Sequence, residues 1–222
     1  MRDGVYWMNI IFFGPPGTGK GTIAQYINRK FGYQHISSGD LLRDEVKKKT
    51  KIGRQIAPLI KDGKLVEDEI IADIVSKKVK GLSKTGFILD GYPRNINQAG
   101  MFEKFLQKSK IKIDFVLNID SKESKIIERL SARRQCTNCK RIFGLDVPPI
   151  KDGVCDDCKG QLIQREDDRP EVVKYRLELY KVMTEPVIEF FEKRDLLITI
   201  DGNEPLHKIF NKVEKLIMER MK

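Results

Sequence analysis

The residues with the plainest chemical meaning in this 222-residue chain are Gly14, Gly17, Thr18, Gly19, Lys20, Gly21 and Thr22, within the run GPPGTGKGT. In a glycine-rich turn of this kind, backbone N–H groups converge on an oxyanion, and a lysine at its end reaches the outer charge of a phosphate chain. The spacing departs from the general phosphate-loop pattern G-x-x-x-x-G-K-[ST]. Gly21 stands where a magnesium-holding hydroxyl is expected, and Thr22 comes one residue later. A chance glycine turn has no reason to follow an apolar run such as Ile10-Ile11-Phe12-Phe13, or to precede a helical pattern from Thr22 to about Lys30.

A second group is as explicit. Cys136-x2-Cys139-x15-Cys155-x2-Cys158 holds every cysteine of the chain, at the spacing of a four-thiolate zinc site. With all four positions filled by protein, such a site is structural, because no coordination position is left for substrate. Disulfides are the alternative, disfavoured in a reducing cytosol. Lys140 and Lys159 occupy positions where such turns often carry glycine.

These groups need a scaffold. Short apolar runs read as strands at residues 10–13, Gln34-His35-Ile36, 86–90, 115–119 and 196–200. Helical patterns span 42–49, 52–61, 68–80, 98–108, 122–134, 171–194 with Pro186 as an interruption, and 206–221. Gly53, Gly63 and Thr50 break the early helices, Ser38 or Asp40 caps the first of them, and the cysteine segment reads as loop. Strands alternating with helices predict an α/β fold: a parallel five-stranded sheet with helices on both faces. Ligands collect at the carboxyl ends of such strands, where Gly14, Asp90 and Asp120 fall.

Composition adds limits. With 40% hydrophobic and 33% charged residues, the chain reads as a globular protein; no apolar run approaches the ~18 residues of a membrane span. The N-terminal VYWMNIIFF leads straight into the phosphate loop and is not a cleaved leader; residues 1–7 read as a short overhang or an upstream start. The cytoplasm is the default compartment. A net charge of +10 suits polyanions, yet the lysines lie in runs without interleaved aromatics, which favours a solvated surface over a nucleic-acid interface.

In order and spacing, GPPGTGKGT, SSGDLLR, KLVEDEI, DGYPRN, the cysteines and REDDRPEVVKYRLELY resemble the adenylate kinases of the long-lid, zinc-binding type, from Met8 to the C-terminus. The resemblance implies a phosphate-loop core at 1–36, 67–132 and 169–222, a helical AMP-binding insertion at 37–66 and a zinc-binding lid at 133–168. It implies magnesium-dependent transfer from ATP to AMP giving two ADP, by a monomer without nucleic-acid or membrane partners. ATP would lie on Gly17, Thr18, Gly19, Lys20, Gly21 and Thr22, with Arg129, Arg133, Ile142, Phe143 and the backbone of Glu204. AMP would meet Ser38, Arg43, Lys64, Leu65, Val66, Gly91, Tyr92, Pro93, Arg94 and Gln98. Lys20, Arg94, Arg133, Arg165 and Arg176 would carry catalysis, the last two also touching AMP. Asp90 would hold magnesium through water, near Thr22. Asp167 and Asp168 would either orient lid arginines or mark a hinge.

The pattern separates this reading from others. Related pyrimidine monophosphate kinases lack the long zinc lid and tend to carry other residues at positions 38 and 98. Long-lid relatives that accept GTP usually lack the cysteines, so ATP is the expected donor. A nucleic-acid ATPase with a zinc ribbon should show Asp-Glu after an apolar strand, but Asp90 is followed by Gly91. Only two histidines occur; His35 reads as packing at a strand end and His207 as a surface residue.

Overall fold

The computed structural model describes residues 7–82 and 85–221; of the overhang, residues 1–6 lie outside the described residues. β1 (Asn9–Phe13) leads into α1 (Lys20–Phe31), β2 (Gln34–Ser37), α2 (Ser38–Lys47), α3 (Lys51–Lys61) and α4 (Asp68–Lys80). β3 (Phe87–Asp90), α5 (Ile96–Ser109), β4 (Phe115–Asp120) and α6 (Glu123–Ala132) follow. Three short strands, β5 (Arg134–Cys136), β6 (Ile142–Phe143) and β7 (Leu162–Ile163), precede α7 (Pro170–Leu179), α8 (Glu185–Glu192), β8 (Leu197–Asp201) and α9 (Leu206–Arg220).

The main sheet has five strands in the order β2-β3-β1-β4-β8, and every pairing is parallel. Successive side chains of a strand point to opposite faces, and here both faces are covered. Ile11 and Phe13 pack with Leu89, Val116 and Phe191 on one side. Ile10 and Phe12 pack with Ile23, Ile27 and Leu117 on the other. Burial on both faces is why β1 reads as a continuous apolar run rather than an alternating one. Its two neighbours, β3 and β4, flank it on opposite sides, so the carboxyl end of β1 opens into the crevice where the loop begins.

Several local expectations need correction. Ser37, not Ser38 or Asp40, caps α2: its hydroxyl accepts from the Asp40 N–H at 3.3 Å. Ser38 instead donates to the Gly91 carbonyl at 2.6 Å. Gly53 does not break a helix; it lies inside α3, where a Cβ would stand 2.0 Å from the Glu45 carbonyl oxygen. It marks the close crossing of α2 and α3. The helix expected over 171–194 is divided by a single π turn at Tyr180–Thr184, with Pro186 in the first turn of α8. Proline lacks an N–H and crowds the carbonyl four residues earlier, and a wider turn accommodates both. The helix expected to reach 134 stops at Ala132, because Arg133 is extended and Arg134 enters β5. The cysteine segment is not only loop: it carries an antiparallel sheet in the order β6-β5-β7. Among the described residues, no helix is long and apolar enough to cross a membrane.

Candidate active site

α1 begins at Lys20 and is capped by Gly19 in the left-handed region, φ 96°. No side-chain cap covers its first N–H groups, so the loop presents backbone donors rather than hydroxyls. The Lys20 ammonium curls back and donates to the Gly14 and Pro15 carbonyls, each at 2.7 Å. Burial pulls its pKa down to about 8; Asp90 opposes that shift, and Arg94, Arg176 and Arg133 add to it. At Gly21 the ideal Cβ position lies 2.8 Å from Ile142 Cδ1. A side chain there would press on the tip of Ile142, a residue brought down from the cysteine segment.

Around the loop lies one cleft, lined by Lys20, Arg43, Arg94, Arg129, Arg133, Arg165 and Arg176, with Asp40, Asp90 and Asp167 facing them. Helices and extended stretches far apart in the chain supply these cations. Carboxylates hold the forks of Arg43, Arg129, Arg133, Arg165 and Arg176, while Arg94 donates to the Gly91 carbonyl at 2.8 Å. Asp167 accepts from Arg165 at 3.1 and 3.2 Å and lies 3.1 Å from Arg176 and 3.8 Å from Arg43. Asp168, whose side chain has 0% exposure, grips Arg133 through both oxygens and lies 3.5 Å from Arg176. Asp167 and Asp168 thus pair with Arg165 and Arg133, the contacts that the orienting role expected from sequence requires.

The electrostatics follow from burial and neighbours. Burial opposes charge on Asp167, but Arg165, Arg176 and Arg43 overwhelm it and hold the carboxyl far below its ordinary range. Burial brings Arg133 and Arg176 down to about 10, both still cationic at neutral pH. At Asp90, burial is outweighed by His35 and Lys20, so that carboxyl too is held low. Replacing Asp167 with alanine takes the directly paired carboxylate from Arg165 and one of two from Arg176 and Arg43, all partly buried. The expected loss is roughly 1–3 kcal/mol, read as a fall in the urea midpoint. Because the folded-state pKa of Asp167 is lowered, its contribution is present above about 4, the ordinary carboxylate value. It is lost as pH falls through the lower folded value, so the difference between the two proteins should shrink in acid.

The structure gathers most, but not all, of the residues singled out from sequence. Gly17 to Thr22, Lys64, Leu65, Gly91, Pro93, Ile142 and Phe143 line the cleft with the cations. Ser38, Val66, Tyr92, Gln98 and Glu204 are not among the lining residues. Asp120, though at a strand end, is exposed and pairs in register with Asp201. His35 does more than pack: it lines the cleft with Nε2 3.4 Å from Asp90 Oδ2. His207 is exposed on α9. Arg141, Arg169 and Arg194 pair with Asp157, Glu171 and Glu103.

Contacts that sequence reasoning missed close the segment over the loop. Gln25 of α1 donates to the Lys140 carbonyl at 3.2 Å, Arg129 meets Asp146 at 2.8 Å, and Asp157 pairs with Arg29 of α1. Tyr180 and Thr184, in the π turn, also line the cleft, and the Thr184 hydroxyl donates to the Arg94 carbonyl at 2.9 Å. No local sequence signal marks these residues.

The four cysteine sulfurs lie within 4.8 Å of one another, with Cys136–Cys158 at 3.4 Å and Cys139–Cys155 at 3.6 Å. A tetrahedral zinc site with Zn–S near 2.3 Å has sulfur–sulfur edges of about 3.8 Å, so the donor set fits. The two turns are copies of each other. Cys136 N donates to Arg141 O and Cys155 N to Gly160 O, both at 2.9 Å. Lys140 and Lys159 sit in the left-handed region at φ 63° and 59°. The turns thus demand the conformation that glycine takes most easily, and lysine adopts it here at some cost.

A family model for adenylate kinase matches residues 12–196. The chain is 44% identical over 215 residues to the adenylate kinase of Borrelia garinii subsp. bavariensis, covering 96% of this chain and 100% of that one. It is 45% identical over 212 residues to that of Caldicellulosiruptor saccharolyticus, covering 95% and 99%. With the adenylate kinase of Archaeoglobus fulgidus the identity is 39% over 217 residues, covering 97% and 100%. A match over most of the chain to the family model, and over nearly all of it to relatives of nearly the same length, means that this chain belongs to the adenylate kinase family.

Proposed function

We propose that the protein is an adenylate kinase that transfers a phosphoryl group reversibly from ATP to AMP, giving two ADP. The observation that carries this reading is the convergence of Lys20, Arg43, Arg94, Arg133, Arg165 and Arg176 on the one cleft that the phosphate loop opens into. Two phosphorylated substrates bring several negative charges to such a site, and neutralising them is the main catalytic burden.

The chemistry needs no general base. A phosphate oxygen of AMP is already ionised at neutral pH; it forms a bond to the terminal phosphorus of ATP as the bond from that phosphorus to its bridging oxygen breaks. No proton has to move in that step. Gly17, Thr18, Gly19, Lys20, Gly21 and Thr22 cradle the ATP phosphates, with Lys20 on the transferred group. Arg133, Arg165 and Arg176 neutralise the charge that develops, their forks already aligned by Asp167 and Asp168. Arg43 and Arg94 take the AMP phosphate. Ser38, Lys64, Leu65, Val66, Gly91, Tyr92, Pro93 and Gln98 build the rest of the AMP subsite. Arg129, Ile142, Phe143 and the backbone of Glu204 flank the donor base. Asp90, with Thr22 nearby, would hold magnesium through water, and the ion would supply further charge neutralisation on the phosphate chain.

Residues 37–66 act in this reading as the AMP-binding insertion, and 133–168 as a zinc-stiffened lid over the core at 1–36, 67–132 and 169–222. The lid excludes water, which would otherwise accept the phosphoryl group. A monomer in the cytoplasm, where thiolates stay reduced, completes the proposal.

The test is ADP formation by the purified protein from ATP and magnesium with AMP, CMP, UMP or GMP as acceptor. Turnover with AMP alone is the expected result. Loss of ATP that ignores AMP and rises with RNA or DNA would overturn the reading.

A further inference from the structure

Gln98 stands in the first turn of α5 and is 2% exposed. Its carboxamide is held at both ends. Oε1 accepts from the Arg94 backbone N–H at 2.7 Å, and Nε2 donates to Asp68 Oδ1 at 2.7 Å. Asp68, the first residue of α4, also accepts from Asn95 at 2.9 Å and Asn97 at 2.7 Å. Three amide groups from one turn thus converge on a single carboxylate. Burial opposes its charge, but the bonds from Asn97, Asn95 and Gln98 outweigh burial and keep Asp68 ionised.

The two partners leave no choice of orientation. A backbone N–H can only donate and an ionised carboxylate can only accept, so the amide oxygen must face Arg94 and the nitrogen must face Asp68. A carboxamide has two lone pairs on oxygen and two hydrogens on nitrogen. One of each is used by the protein, so one acceptor and one donor remain, in a fixed sense. A 6-aminopurine offers the complement: an acceptor at N1 and a donor at N6. A 6-oxopurine in the same place offers the reverse, N1–H and O6. To meet it the amide must turn end for end, which sets Nε2–H against the Arg94 N–H and Oε1 against the Asp68 carboxylate.

We propose that Asp68 is a specificity-determining residue for the acceptor base: by holding the Gln98 carboxamide in one orientation, it selects a 6-aminopurine over a 6-oxopurine monophosphate. Asp68 touches no substrate and acts through Gln98, as a positioning residue. The inference rests on the reading above that Gln98 meets the acceptor base.

The experiment compares kcat and KM for AMP and IMP, with ATP as donor, in the unaltered enzyme and in Asp68→Asn, Asp68→Glu and Gln98→Ala. An asparagine at 68 can accept from Nε2 or donate to Oε1, so it removes one of the two barriers to turning the amide. Asp68→Asn is expected to lower the AMP:IMP ratio of kcat/KM by about tenfold or more, chiefly through a lower KM for IMP. Asp68→Glu, which keeps a carboxylate, should retain most of the discrimination. A merely structural role would weaken AMP and IMP alike and leave the ratio unchanged, and that result overturns the inference. Should Asp68→Asn not fold, Asp68→Ala removes the same acceptor and is judged by the same ratio. Gln98→Ala separates the two levels of the argument. If it raises the KM for AMP while Asp68→Asn leaves the ratio alone, only the present inference fails. If it leaves the KM for AMP unchanged, the placement of Gln98 against the base fails, and the inference with it.

Discussion

Replacing Lys20 with methionine is expected to lower kcat for ADP formation by about 1,000-fold, the scale on which losing one preorganised charge stabiliser slows a reaction. The substitution keeps most of the side chain's volume and removes only the charge. Folding should survive it, because the ammonium donates to groups of its own loop, the Gly14 and Pro15 carbonyls and the Thr18 hydroxyl. Stability should even rise slightly. The folded-state pKa is lowered, so the unfolded chain binds this proton more tightly, and keeping Lys20 charged in the fold costs free energy at neutral pH. That cost is present in full below about 8 and is relieved as pH rises from about 8 toward the unfolded lysine value. The same lowered pKa shapes the activity profile. In the free enzyme Lys20 loses its proton near pH 8, so kcat/KM should fall above that pH. Bound phosphates favour the charged form, so kcat should hold to higher pH. A methionine variant with near-normal kcat, or one that does not melt cooperatively, would place the lysine in the scaffold rather than on the transferred group.

Removing the cysteine-bound metal is expected to have the second-largest effect, on the lid rather than the sheet. The lid's own buried apolar cluster consists of Cys136, Phe143, Cys155 and Leu162, too little to order the segment by itself. In small zinc-dependent folds the metal contributes roughly 10–16 kcal/mol, so the lid should depend on it almost entirely. With Cys136→Ser, or after chelation, amide hydrogens of β5 to β7 should exchange about 100-fold faster or more. Those of β1, β3 and β4, at the centre of the main sheet, should stay protected. ADP formation should drop in parallel, because Arg133 and Arg165 lie at the two ends of the segment and would lose their alignment. Metal analysis should find one zinc per chain before chelation. Unchanged lid exchange after complete loss of metal would show that the sheet β6-β5-β7 stands without it.

How much of this was legible beforehand depended on whether the determinant was local. The strand, loop and helix of the phosphate cradle occupy one continuous stretch, and a buried parallel strand followed by glycines has few other meanings. The paired cysteines are as local, and their structure repeats one turn twice. Both could be read directly, as could the alternation of strands and helices that specifies a parallel sheet. The arginines were legible only as members of motifs, since an isolated arginine has no pattern of its own.

Tertiary structure alone decided how those charges are used. Asp167 and Asp168 are adjacent in the chain, yet beyond Arg176, which they share, Asp167 takes Arg165 and Arg43 while Asp168 takes Arg133, and no spacing rule predicts that division. Gln98 reads from sequence as an amide free to pair with a base; its orientation comes from Asp68, thirty residues earlier. His35 approaches Asp90 because β2 pairs with β3 in one particular register. Gly21 reads as a departure from a pattern, and only the fold brings Ile142 over it. Local conformation follows from the residues that adopt it, so periodicity, caps and metal-binding turns were written in the sequence. Contacts between distant segments depend on how all the elements pack at once, and that is where the partner and orientation of each charged group were set.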